Sequence, residues 1–162
     1  MSTVVNARAT VEPPPVVHAA VMLWLAAVAF GVFETVLVVA RELYEGTSTV
    51  AELLPGAGLR LVVFAGAMFL ALRLRDGAGW ARWTLAGTLG VFGTLSLVVE
   101  PVRWLLAGGS IAEAVAGADA AGLAFAAGRV LHVLAVLGAM LLMFQPRATA
   151  YVRSDVPSLR SQ

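Results

Sequence analysis

The 162-residue chain has no cysteine, no lysine, only two histidines, and charged side chains at just 13% of positions. Without cysteine there are no disulfides, no thiol redox chemistry and no thiolate metal site. The formal net charge of +1 leaves no basic stripe of the kind nucleic acid requires. No P-loop, dinucleotide-binding glycine fingerprint, H-E-x-x-H pair or nucleophile elbow occurs, so the chain reads as non-enzymatic. The two histidines, His18 and His132, fall in opposite halves of the apolar region. They cannot form one axial pair, so neither haem nor another metal cofactor is expected. All eleven basic residues are Arg, and with abundant Ala, Gly and Val this composition points to a GC-rich bacterial genome.

Hydrophobic residues, in contrast, make up 60% of the chain, far more than a soluble domain of this size can bury. The expectation is an all-α integral membrane four-helix bundle. Apolar segments near Val21–Ala40, Pro55–Leu74, Trp80–Val99 and Phe125–Phe144 each approach the roughly 20 residues needed to cross a bilayer. Residues 1–15 and 147–162 then form tails, and 16–146 the membrane domain. The first apolar run is too long for a cleaved signal sequence, and one Arg precedes it. Thr49 with Glu52, and Ser110 with Glu113, fit the capping-box pattern and suggest short helical turns in the first and third linkers. Arg75 to Gly79 reads as a tight turn, and Pro146 as the stop of the last span.

Arg placement predicts orientation. Seven arginines, Arg8, Arg73, Arg75, Arg82, Arg147, Arg153 and Arg160, fall on one side against Arg41 and Arg103 on the other, which Glu42, Glu45, Glu52, Glu113 and Asp119 make acidic. By the positive-inside rule both termini are cytoplasmic, which places the chain in a bacterial inner membrane.

Aligning Trp24 with Trp83 sets "WLAAVAFGVFETVLVV" against "WTLAGTLGVFGTLSLV", with seven identities in 16 positions, including Gly-Val-Phe-x-Thr. Spans two and four share Gly-Ala-Met at 66–68 and 138–140. The pattern reads as a duplicated transmembrane hairpin with parallel repeats. In this register Glu100 aligns with Arg41, so Glu100 and Pro101 mark a helix end, with Arg103 as the i+3 partner of Glu100 and Trp104 at the interface.

Four ionisable residues remain within the apolar layer. Glu34 lies about 9 Å below the outer end of its span, and Arg60, Arg129 and His132 roughly 6–10 Å into theirs. Charges inside a membrane are costly and face a bundle interior or a partner. Glu34 continues a small-residue stripe of Ala20, Ala27 and Gly31, while Arg129 and His132 share a face with Ala135 and Ala139. A bundle with Glu34 turned toward Arg129 or Arg60 follows. Three roles stay open: an ion pair that only holds helices together, a proton-exchanging carboxylate as in small coupled transporters, or a pocket for an anion or lipid headgroup. The first is the expected role, and it makes the protein a non-enzymatic accessory or scaffold subunit that associates with itself or with a larger membrane protein; the second is the alternative. The second makes it a small proton-coupled transporter.

Pro14-Pro15-Val16 followed by Leu23-Trp24-Leu25-Ala26 resembles the opening of small four-span membrane proteins of actinobacteria. That resemblance covers about the first quarter of the chain and implies the four-span fold, with no site or activity attached. Small multidrug transporters share four spans and a first-span Glu, but their Glu lies deeper and in a different motif, so that likeness is one of architecture.

Overall fold

The structure, a computed structural model, describes residues 12–154; the tail arginines Arg8 and Arg160 lie outside the described residues. It is helical throughout, with no strand among the described residues. Helices α1 (Pro15–Glu45), α2 (Val50–Arg75), α3 (Gly79–Leu106) and α5 (Ala120–Met143) are each long and apolar enough to cross a bilayer. These are the helices of a multi-pass membrane protein. Short helices α4 (Ile111–Ala116) and α6 (Pro146–Ser154) are the other helices among the described residues.

Local chemistry sets the helix ends. Pro15 sits at the first position of α1, where its missing N–H costs nothing. Gly46, at φ 68°, closes α1 in the left-handed conformation that glycine takes without strain. Thr49 and Glu52 form the expected capping box, but it opens α2 itself and not a separate turn. Pro55 lies within α2, near its start, where it forfeits a single backbone bond. Ser110 caps the short helix expected in the third linker, and Asp119 caps α5.

Three features depart from the sequence reading. The helix does not end at Glu100 and Pro101: α3 runs on to Leu106, and Arg103 makes no ion pair with Glu100. Both side chains are exposed. A proline in a helix removes one hydrogen bond, and the flanking turns carry the helix past it. Pro146 likewise does not simply stop the chain. The last span ends at Met143, and Pro146 starts α6, which folds back with Ala148 and Val152 buried. Lastly, residues Leu85–Gly93 in the middle of α3 wind as a π-helix, between α-helical stretches Gly79–Thr84 and Thr94–Leu106.

The core gathers at one end of the bundle, which we call the turn end because it holds the tight Asp76–Ala78 turn. Val17, Trp24, Leu74, Leu85 and Met143 are its largest fully buried side chains. Helix α6 closes this end. Arg82 donates from Nη1 to Thr149 Oγ1 (3.1 Å), Tyr151 Oη donates to the Arg75 carbonyl (2.9 Å), and Val152 packs against Gly79. Arg82 is therefore not a free surface charge. It is 7% exposed and its guanidinium lies 5.5 Å from the Trp83 ring and 5.2 Å from the Phe144 ring. Toward the opposite, loop end the packing thins, and residues Thr94–Leu106 include no buried residue.

Candidate functional site

Helix α1 packs most extensively against α5, and small residues line that contact. Ala20, Ala27 and Gly31 on α1 and Gly128, Ala135 and Ala139 on α5 are all buried. A Cβ on Gly128 would stand 3.3 Å from the Phe33 ring and 3.9 Å from Glu34 Cγ. On Gly31 it would stand 2.7 Å from Phe64 Cε1 and 3.3 Å from His132 Cε1. Glycine at these two positions brings the α2 and α5 side chains against α1 at the level of Glu34.

At that level the structure brings together three of the four expected ionisable residues. Glu34 Oε1 lies 3.4 Å from His132 Nδ1, and Glu34 Oε2 lies 3.8 Å from Arg129 Nε. The Glu34 side chain is 9% exposed, that of His132 16% and that of Arg129 33%. Arg129 also lies over the Phe125 ring, 5.2 Å from its centroid. Arg60 is exposed and has neither an ion pair nor a hydrogen bond among the described residues. Of the two arginines expected to face Glu34, Arg129 does so. Glu100 and Arg103 stand apart from the cluster on the outer surface of α3.

The contacts are close but unaligned. Although 3.4 Å separates Glu34 Oε1 from His132 Nδ1, neither atom makes a hydrogen bond, and Arg129 Nε makes none either. We therefore regard the three as electrostatically paired and not as a hydrogen-bonded lock. Nearby hydroxyls do not help. Thr35 Oγ1 donates to the Gly31 carbonyl (2.8 Å) and Ser96 Oγ to that of Gly93 (2.7 Å), each within its own helix. A buried carboxylate without hydrogen bonds costs several kcal/mol, so these atoms call for something else: a proton, water or a ligand.

Space for it adjoins them. A cavity of about 240 Å³ runs between the helices, lined at one level by Glu34, Arg60, Arg129 and His132. Toward the turn end it is walled by Trp24, Ala27, Ala67, Leu89 and Val136. Trp24 is 2% exposed and its Nε1–H has no acceptor. Leu89 and Gly93, from the π-helical stretch, form part of the wall. π-Helical turns often mark functional positions because they displace side chains from α-helical register.

The sequence leaves a pocket open as one of three roles for the charged layer, but gives no expectation of the π-helix. The available signal for the latter was the run Gly87, Gly90, Gly93, three glycines in one span. For the docking of α6 it was the i, i+4 pair Ala148 and Val152.

No protein-family model matches the chain, and neither a curated protein nor a solved structure matches it significantly.

Proposed function

We propose that this chain is a small bacterial inner-membrane transporter that admits a solute to the cavity and exchanges a proton at Glu34. The observation that carries this is the burial of Glu34 beside His132 and Arg129, against an open cavity, with its hydrogen bonding incomplete. An ion pair serving only as glue would be better satisfied, since half-made polar networks cost more than apolar packing. Intramembrane carboxylates next to basic groups are characteristic of proton relays. The cluster binds and shifts charge; no covalent chemistry is assigned to it.

Orientation rests on Arg73, Arg75, Arg147 and Arg153 at the turn end, against Glu42, Glu45, Glu113 and Asp119 at the loop end. On that basis both termini are cytoplasmic and the charged layer lies in the outer half of the membrane. The hairpin duplication rests on the sequence identities. Its halves have diverged in use, because Trp24 is in the core while Trp83 is 64% exposed. The actinobacterial resemblance of the first span fits the same picture.

Proteoliposomes with a trapped pH dye test the proposal. After a pH step, wild-type protein is expected to carry protons, and Glu34→Gln to slow this by about tenfold or more, an activation change of at least ~1.4 kcal/mol. Equal rates in the two proteins, or no flux in wild type, would overturn it.

A second reading, the accessory subunit, is supported by α2. Only 6% of its most apolar window is buried within the chain, against 33% for α1. So bare a span leaves room for a partner helix, from a second copy or from a larger membrane protein. Crosslinking from α2 in native membranes tests this, and a stoichiometric partner is the expected result.

A further inference from the structure

Charge and shape in the cavity specify what kind of solute fits it, and this step rests on the reading of the cavity as a solute site. His132 aside, the charged layer holds two guanidiniums and one carboxylate, a net charge of +1. Arg60 is unpaired, and Arg129 is only loosely engaged by Glu34 at 3.8 Å. The layer is therefore short of one negative charge. Below it the wall is apolar over the ten residues from Glu34 to Trp24, about 15 Å of helix. Toward the turn end the wall includes Trp24, whose buried indole N–H has no acceptor. At about 240 Å³ the space is smaller than the roughly 300–1,000 Å³ of drug-sized ligand pockets, which limits it to a small solute.

We propose that the cavity takes a small amphipathic monoanion, its anionic group between Arg60 and Arg129 and its apolar body directed toward Trp24. A medium-chain carboxylate has this chemistry, and so does one chain and the headgroup of an anionic lipid. Glu34 is the internal competitor for Arg129. An anion that engages Arg129 leaves the Glu34 carboxylate facing a second negative charge, which favours its protonation from the aqueous side. Anion and proton then enter together and the site keeps its charge of +1.

The probe is octanoate, with octanol and octylamine as neutral and cationic controls, in nanodiscs of zwitterionic lipid at constant pH. Substituting Trp80, Trp83 and Trp104 by Phe leaves Trp24 as the sole indole, which a chain-brominated octanoate quenches on binding. Calorimetry on the unsubstituted protein gives the same affinities should those changes perturb folding. Octanoate is expected to bind at least about tenfold more tightly than octanol, and octylamine not to bind. Arg129→Gln is expected to weaken octanoate about tenfold, and Glu34→Gln to strengthen it several-fold by removing the competitor. Anionic lipid in the nanodisc that displaces octanoate assigns the lipid as the source of the anion. Undiminished octanoate binding there assigns a free solute. Octanol binding as well as octanoate, or octanoate affinity lost in Glu34→Gln but kept in Arg129→Gln, would overturn the proposal. Because no gradient is applied, anion binding without proton flux refutes the coupling and leaves the anion site standing.

Discussion

Glu34 and His132 approach to 3.4 Å across the most extensive helix contact of the bundle, yet form no hydrogen bond. Their proximity comes from Gly31 and Gly128, which remove the Cβ atoms that would otherwise hold α1, α2 and α5 apart. A carboxylate so placed is close enough to feel its neighbours and free enough to change them. The following outcomes are expected from that arrangement.

Glu34→Gln should not lower thermal stability and is expected to raise it, by about 1–3 kcal/mol. It deletes a charge that makes no aligned hydrogen bond, and Arg129, at 33% side-chain exposure, can turn away from the vacated site. Breaking a true buried ion pair would cost about 3–5 kcal/mol. Melting of both proteins in the same detergent distinguishes these values.

Gly31→Ala should destabilise by about 1–3 kcal/mol, because its Cβ would collide with the Phe64 ring and press on His132. Gly66→Ala, with nothing within 4 Å of the new methyl, should be neutral or stabilising by up to about 1 kcal/mol. Denaturation midpoints measured side by side test the contrast.

Val152→Asp should release α6 without unfolding the bundle, since the valine packs against Gly79 at the rim of the core. Trypsin cleavage after Arg147 should then accelerate about tenfold or more, reflecting ~1.4 kcal/mol or more of lost docking. The four spanning helices should keep their helical circular dichroism signal. Unchanged cleavage would show that α6 is held by Arg82 and Tyr151 alone.

Deleting Thr88, within the π-helical stretch, should let α3 wind as continuous α-helix, because a π-turn accommodates one extra residue. The deletion variant should fold with equal or higher stability and lose proton flux, as Leu89 and Gly93 leave the cavity wall. Retained flux would separate the π-helix from function.

Thr49→Ala should cost about 0.5–2 kcal/mol through loss of the α2 cap while leaving flux unchanged, because Thr49 is remote from the cavity. Stability and flux measured on one preparation test both halves.

The spans were legible because apolar length and capping chemistry are local properties. Thr49, Ser110 and the Arg75–Gly79 turn could be read from a few neighbouring residues. The small-residue stripe Ala20, Ala27, Gly31 also showed which face of α1 carries Glu34. What escaped depends on several helices at once. Whether Pro101 ends a helix is decided by the turns beyond it, and α3 continues to Leu106. The docking of α6 needs Gly79 and Arg82 from a different hairpin. Which arginine faces Glu34 depends on helix rotation, which Gly128 sets. A cavity is a failure of helices to meet, and no single span encodes it.

The central claim is that Glu34 is a proton-exchanging carboxyl in a ligand cavity. Infrared spectroscopy of the protein in nanodiscs, with the Glu34→Gln spectrum subtracted, isolates its carboxyl stretch. Adding octanoate at fixed pH is expected to increase the protonated fraction of that band. A band that does not respond to octanoate would show that Glu34 only holds the helices together.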